Sequence, residues 1–511
     1  MKNPKGVVAA GHKITVEAAA EVLREGGNAF DAVIAAMATA SVPEFVFSSI
    51  GGSGFLMARP ANSSTAICYD FFAQTPGVKR AEDEIEFYAI NADFGPASQE
   101  FYIGAGSTAV PGFIQGLYAI HEDFGTVPMT RLLEPAILAA RDGVTITDLH
   151  AYLYTIVAPI LTASASARGY FAPGGALLSA GDVYRNAEVS DTLDCLAREG
   201  PRLFSEGEVA QAIAEQSRES GGHLTLEDLR AYQVERRAPL EWRYRGHDIL
   251  LNPAPAASGA LIAFGLALLE RASPEGAPAP ILLARIMEET NTVRMACGQA
   301  LHEIVQDTTI ESHLQALDGH TAATRGTTQI SVIDAQGNAA AATITNGEGN
   351  GHMVKGCGFM LNNMLGEEDL NPGGFHRWQP GIRLSTMMAP SIILGPDGAL
   401  TALGSGGSNR IRTAILQVAV NLIDREMDLE TSVHAARLHV ERDGAVSFEE
   451  TPWEIVYSSA QRAELLDAYA QAHGWPEANL FFGGVHTARR NGDGRLEGAG
   501  DPRREGCVVV V

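Results

Sequence analysis

The chain has 511 residues, 46% hydrophobic and 19% charged, a globular composition that allows two to four domains or one large layered unit. Its 37 basic residues against 61 acidic ones leave a net charge of −24, which argues against nucleic acid or an anionic membrane surface as a partner. There is no run of eighteen apolar residues or signal-peptide pattern, and five dispersed cysteines without a CxxC pair suggest neither a zinc site nor a disulfide framework. The simplest expectation is a soluble cytoplasmic protein.

In chain order, residues 15–25 predict a helix stopped by Gly26-Gly27-Asn28, and 29–41 a second, Ala-rich helix ended by Pro43. A glycine turn at Gly51-Gly52-Ser53-Gly54 leads into a strand. Residues 132–142, 225–232 and 261–271 predict helices, 239–251 a strand pair, and 281–305 a long helical stretch. Residues 307–326 lack a core face and predict an exposed, mobile linker. After it come two strands, 327–334 and 339–345, around the turn Ala335-Gln336-Gly337-Asn338. A second hairpin follows at 391–394 and 399–404, then a striped helix at 410–425. A helix-rich first part and a strand-rich later part suggest stacked sheets covered by helices in one layered unit.

The strand start Gly326-Thr327-Thr328-Gln329 carries the most chemistry. A threonine hydroxyl is a poor nucleophile without a base beside it. Cleavage of the Gly326–Thr327 bond would give Thr327 a free α-amine, with a pKa near roughly 8, to serve as that base. Read alone, the segment is first of all an ordinary strand start, since β-branched residues favour strands. Thr343 and Thr345 lie in the paired strand, where one hydroxyl on the correct face would reach Thr327; cross-strand threonine pairs are also ordinary. The run Gly404-Ser405-Gly406-Gly407-Ser408-Asn409-Arg410 joins a strand to a helix, where exposed backbone amides bind anions or a developing oxyanion. It lacks the GK[ST] ending of a phosphate loop. The fourteen histidines include no HExxH, and no GxGxxG opens a helix, so no metal or nucleotide cofactor is expected.

Together these motifs resemble the γ-glutamyltranspeptidase family of N-terminal nucleophile hydrolases. Ordered landmarks run from Gly26-Gly27-Asn28-Ala29-Phe30-Asp31-Ala32 through Val110-Pro111-Gly112, Thr327-Thr328, Leu361-Asn362-Asn363, Met388-Ala389-Pro390 and Gly483-Gly484-Val485-His486 to Asp501-Pro502-Arg503-Arg504. The resemblance implies an α+β fold, a four-layer αββα sandwich of the N-terminal nucleophile hydrolase type. It implies a proenzyme cut between Gly326 and Thr327. The products are a large subunit, 1–326, ending in the linker of about 307–326, and a small subunit, 327–511. Both stay in one intertwined heterodimer, with further dimerisation left open. It implies that Thr327 attacks an amide carbonyl without any cofactor, and that Thr345 supports it by a hydrogen bond. The oxyanion hole is Gly406 and Gly407 when matched on the double glycine, or Gly407 and Ser408 when counted back from Arg410.

The set that recognises a γ-glutamyl group in that family is altered here. Phe72 stands where the family has the arginine that pairs with the substrate carboxylate, a contact worth roughly 1.5–3 kcal/mol. Gln329 replaces a histidine, Gly347 an asparagine, and Met364 a glutamine after Asn363. The paired serines fall on Thr386 and Met387, or on Ser385 and Thr386 in the other register. Glu367 stands for an amine-binding aspartate, although it also reads as part of a solvated acidic loop, and Phe72 also reads as plain core. The expectation is therefore a self-processing amidohydrolase acting on a small non-glutamyl amide. Genuine γ-glutamyl hydrolysis or transfer is the alternative, and an unprocessed relative that binds a small amide or amino acid is the second alternative.

Overall fold

The computed structural model describes residues 4–93, 98–274, 276–297, 300–314, 327–371 and 373–511. Its centre is a pair of antiparallel sheets. Seven strands run in the order Cys507–Val510, Gly6–Ala10, Thr328–Asp334, Ala339–Thr345, Ser53–Arg59, Ile67–Phe71 and Glu235–Arg237. Six run in the order Leu496–Ala499, Gly484–Arg490, Leu400–Gly406, Ser391–Leu394, His247–Leu251 and Leu240–Tyr244. The sheets face one another through Thr328–Asp334 and Ala339–Thr345 on one side and Leu400–Gly406 on the other. Helices Lys13–Glu25 and Ala29–Ala40 pack on the seven-stranded sheet, and Ser258–Ala272 and Arg410–Ile423 on the six-stranded one, giving a mixed α/β unit.

The local chemistry explains the first helices. Gly26, at φ 102°, ends Lys13–Glu25 in a left-handed turn that a side chain would resist. Asn28 and Asp31 form a reciprocal capping box at the start of Ala29–Ala40. Every residue of that second helix is buried, and its alanines let it lie close to the equally Ala-rich strand Ala339–Thr345. The hairpin after Thr328–Asp334 is fastened by Asp334, whose carboxylate accepts hydrogen bonds from Asn338 and from the backbone N–H of Ala29. One residue thus ties the strand end to a helix N-terminus.

Several predicted elements differ in extent. The 132–142 helix is two pieces, Met129–Leu132 and Glu134–Asp142, with Pro135 inside the first turn of the second. The long helix is Pro280–Cys297, followed by a short 3-10 turn at Leu301–Glu303. The expected linker begins as a helix, Asp307–Leu314, because Ile310 finds a buried seat; residues 315–326, including Gly326, lie outside the described residues. The helix-rich first part of the chain also supplies strands of the central sheet. The strands Gly6–Ala10, Ser53–Arg59, Ile67–Phe71 and Glu235–Arg237 all join the sheet that contains Thr328–Asp334. Strands such as Gly6–Ala10 are buried on both faces and read as continuous apolar runs, not as alternation.

Candidate active site

Thr328 pairs with Ile344 and Gln329 with Thr343, so the register carried one residue further sets Thr327 opposite Thr345. Both threonines line a cleft of about 350 Å³ with Phe72, Glu367, Thr386 and Ser408. Thr328 faces the other way, as strand alternation requires. Its hydroxyl donates to Glu44 Oε1 at 2.7 Å, and Thr15 donates to Glu44 Oε2 at 3.1 Å. Burial pushes the Glu44 carboxyl up to about 7, against the opposing pull of these two hydroxyls. The structure therefore distinguishes two adjacent threonines: Thr327 opens to the cleft, and Thr328 is tied to a buried acid.

The glycine run passes directly over Thr327. Gly406 ends its strand opposite Gly484, and a Cβ there would stand 1.9 Å from the Thr327 carbonyl oxygen. That carbonyl also accepts a 2.9 Å hydrogen bond from Arg504 Nη1. Burial lowers the Arg504 guanidinium to about 10, and Asp501 and Glu44 oppose that shift. Gly407 (φ 114°) and Ser408 (φ 51°) then turn the chain by positive-φ steps into the helix Arg410–Ile423. Ser408 lies in the cleft wall, and its hydroxyl donates to Asp369 Oδ2 at 3.1 Å.

The remaining recognition residues divide into those that reach the cleft and those that do not. Phe72 reaches it while also stacking on Phe55, with ring centroids 5.4 Å apart, so core and lining roles coincide. Glu367, Thr386 and Met387 line the cleft too. Glu367 and Asp369 are buried and only Glu368 between them is exposed, which is not the pattern of a solvated loop. Gly347 sits at φ 62°; a Cβ there would meet Asn363 Oδ1 at 2.2 Å and Glu367 Oε1 at 2.5 Å. The longer acid and Asn363 thus occupy the space that an asparagine at 347 would need. Asn363 Oδ1 accepts from the backbone N–H groups of Glu348 and Gly349, at 2.9 and 3.3 Å, and shapes this turn. Met364 is fully buried in the apolar core, and Ser385 is half-buried and outside the cleft lining. Gln329 is held between the sheets, accepting from Thr343 at 2.6 Å and packing on Gly404.

Three participants were not singled out from the sequence as site residues. Asp369 lies inside an acidic run whose buried member is not distinguishable by type. Arg504 belongs to the C-terminal landmark but shows its role only through its bond to Thr327. Glu44 follows Pro43 in a segment without periodicity. Among the described residues, no group of three or more His, Cys, Asp and Glu is arranged to hold a metal ion, and no helix is long and apolar enough to cross a membrane.

A family model described as Gamma-glutamyltranspeptidase matches residues 15–511. The Acylase ACY 1 proenzyme of Pseudomonas sp. (strain SE83) is 29% identical, over 99% of this chain and 94% of that protein. The Glutathione hydrolase proenzyme of Escherichia coli (strain K12) is 26% identical, over 98% of this chain and 90% of that protein. The glutathione hydrolase name recurs among further curated relatives. Among solved structures, cephalosporin acylase from Bacillus halodurans superposes with a TM-score of 0.86 at 20% identity, covering 99% of this chain and 96% of that one, a likeness of fold.

Proposed function

The chain belongs to the gamma-glutamyltranspeptidase family, and from that premise we propose that Thr327 is the self-liberated nucleophile of an amide hydrolase or acyltransferase. The observation that carries this reading is the seat of Thr327: it opens into the cleft opposite Thr345 while Gly406 and Arg504 clamp its carbonyl. Enzymatic character of the hydrolase and acyltransferase kind follows from the family and the acylase relatives, so the unprocessed binder is set aside. The four-layer αββα arrangement is part of the proposal, supported by helices on the outer faces of two apposed sheets.

The reaction is written from these residues. After cleavage at Gly326–Thr327, the Thr327 α-amine takes the proton of its own hydroxyl, and Oγ1 adds to the substrate amide carbon. Charge grows on the amide oxygen beside the Gly407–Ser408 turn, whose backbone N–H groups are the donors in this reading. Gly406 serves instead as the glycine that admits the Thr327 carbonyl. One such donor contributes about 3–4 kcal/mol to the transition state. Collapse of the adduct breaks the C–N bond, the leaving amine receives the proton, and an ester to Thr327 remains. Water or an amine then attacks that ester and restores the hydroxyl.

For the substrate, the recurrence of glutathione hydrolases among the relatives favours a γ-glutamyl compound over the non-glutamyl amide expected from the sequence. Buried Glu367 supports it as a partner for the α-amine. The non-glutamyl reading keeps one observation in its favour: Phe72 lines the cleft at the position of the carboxylate-binding arginine. A γ-glutamyl anilide and a neutral acyl anilide, offered to wild type and to Thr327→Ala, separate the two. Turnover of the γ-glutamyl anilide by wild type, and of neither anilide by the variant, is expected. Turnover confined to the neutral anilide would hand the assignment to the second reading, and normal activity in Thr327→Ala would remove Thr327 from it.

A further inference from the structure

Phe72 belongs to the lining of the Thr327 cleft, and buried polar groups outside that lining hold its backbone at both ends. Its N–H donates to Asp70 Oδ1 at 3.0 Å. Its carbonyl accepts from the Tyr232 hydroxyl at 2.7 Å and from Arg383 Nη1. Asp70 is fully buried between two guanidinium groups: Arg237 Nε donates to Oδ2 at 2.8 Å, and Arg383 Nε stands 3.5 Å from Oδ1. Arg383 is engaged on every side. Nη1 also donates to the Tyr232 hydroxyl, Nη2 donates to the Gln233 carbonyl at 2.6 Å, and the guanidinium lies 4.6 Å from the Tyr232 ring centre. A planar fork can serve these separate acceptors together, which an ammonium group cannot.

The segment that carries Arg383 also builds another part of the cleft. It runs antiparallel to residues 73–75, with Gln74 opposite Arg383. The Leu384 N–H donates to the Ala73 carbonyl at 3.0 Å, and the Thr75 N–H to the Ile382 carbonyl at 2.8 Å. Shortly beyond, Thr386 and Met387 line the cleft alongside Phe72. Arg383 therefore sits at the joint between two pieces of the lining, one preceding Thr327 in sequence and one following it.

We propose that Arg383 is a positioning residue for acyl selection: with Asp70 and Tyr232 it fixes the Phe72 backbone against the Thr386–Met387 segment, so the cleft fits one acyl shape. This rests on the Thr327 reading to the extent that the acyl group occupies the cleft. An apolar wall discriminates by roughly 10- to 200-fold per methylene. A wall whose supporting groups are loosened forfeits that fit.

Two variants and two readouts test it. Arg383→Lys keeps a charge for Asp70 and removes the fork. Tyr232→Phe keeps the ring beside Arg383 and removes the hydroxyl bonded to the Phe72 carbonyl. The first readout is the fluorine NMR signal of 4-fluorophenylalanine placed at Phe72, which should be one narrow line in wild type and should shift or broaden in both variants. The second is kinetics with the γ-glutamyl and pentanoyl 4-nitroanilides. Whichever anilide wild type prefers, both variants should reduce the ratio of kcat/KM values by about tenfold or to parity, chiefly through a higher KM for the preferred one. A role in stability alone would lower both anilides by one factor and leave the ratio unchanged. A fluorine signal unmoved in both variants, or a ratio within about twofold of wild type in both, would overturn the proposal. Tyr232→Phe decides it should Arg383→Lys not fold. If wild type turns over neither anilide, the Thr327 reading fails, and the fluorine signal still decides whether Arg383 holds Phe72.

Discussion

Glu44 is the residue whose environment makes the sharpest claim. It is a carboxyl in the core whose two oxygens receive the hydroxyls of Thr15 and Thr328. Its native pKa of about 7 exceeds the ordinary value of 4.5, so between those values the folded chain holds a proton that the unfolded chain has released. Stability from this group is full below about pH 4.5 and falls as pH rises toward 7. Glu44→Gln keeps an acceptor and removes the ionisation. At pH 8 the variant should be more stable than wild type by about 3 kcal/mol, read as a higher thermal midpoint, and the gap should shrink to under about 1 kcal/mol near pH 5. Thermal midpoints measured at both values decide it; parallel curves would mean that Glu44 is already ionised in the fold. Because Thr328 is occupied by this acid, the same residue explains why its neighbour, Thr327, faces the cleft.

At the scale of elements, the site is the meeting of a strand start with a strand end. Thr328–Asp334 begins beneath the point where Leu400–Gly406 finishes, and only a glycine fits there. Gly406→Ala would drive a methyl group into the Thr327 carbonyl and against Arg504. A displacement near 1 Å at a reacting centre can cost about 100-fold, so self-cleavage of this variant should slow by at least that factor, read as the full-length band persisting on a denaturing gel. Wild-type cleavage rates would show that the close contact relaxes without consequence. The same elements show how much could be read beforehand. Lys13–Glu25, Ala29–Ala40, the Thr328–Thr345 hairpin and Arg410–Ile423 announce themselves by caps, turns and periodicity. Gly6–Ala10 and Glu235–Arg237 do not, since one is apolar throughout and the other is three residues long. Helix Asp307–Leu314 was missed because Ile310 is its one buried residue and its other ties, His313 to Glu289 and Asp307 to Arg271, are polar contacts made only in the fold.

Over the whole molecule, the site depends on segments far apart in sequence. Thr327 was legible as a nucleophile because distant landmarks fall in a known order; Phe72, Glu367 and Thr386 were placed the same way and meet in one cleft. The cavity wall of Phe47, Trp475 and Arg504 was not legible, because these residues have no common spacing and come together only through the fold. The fold also predicts the fate of the cleaved chain. Thr328–Asp334 lies between Gly6–Ala10 and Ala339–Thr345, and Cys507–Val510 pairs with the outer edge of Gly6–Ala10. Strands from both sides of the cut alternate in one sheet, so cleavage should not release either part. Mass spectrometry of the purified protein, under denaturing and then native conditions, tests this most directly. The account predicts two denatured fragments, the smaller beginning at Thr327, that travel as one assembly when native. A single intact chain, or a smaller fragment beginning at any other residue, would contradict it.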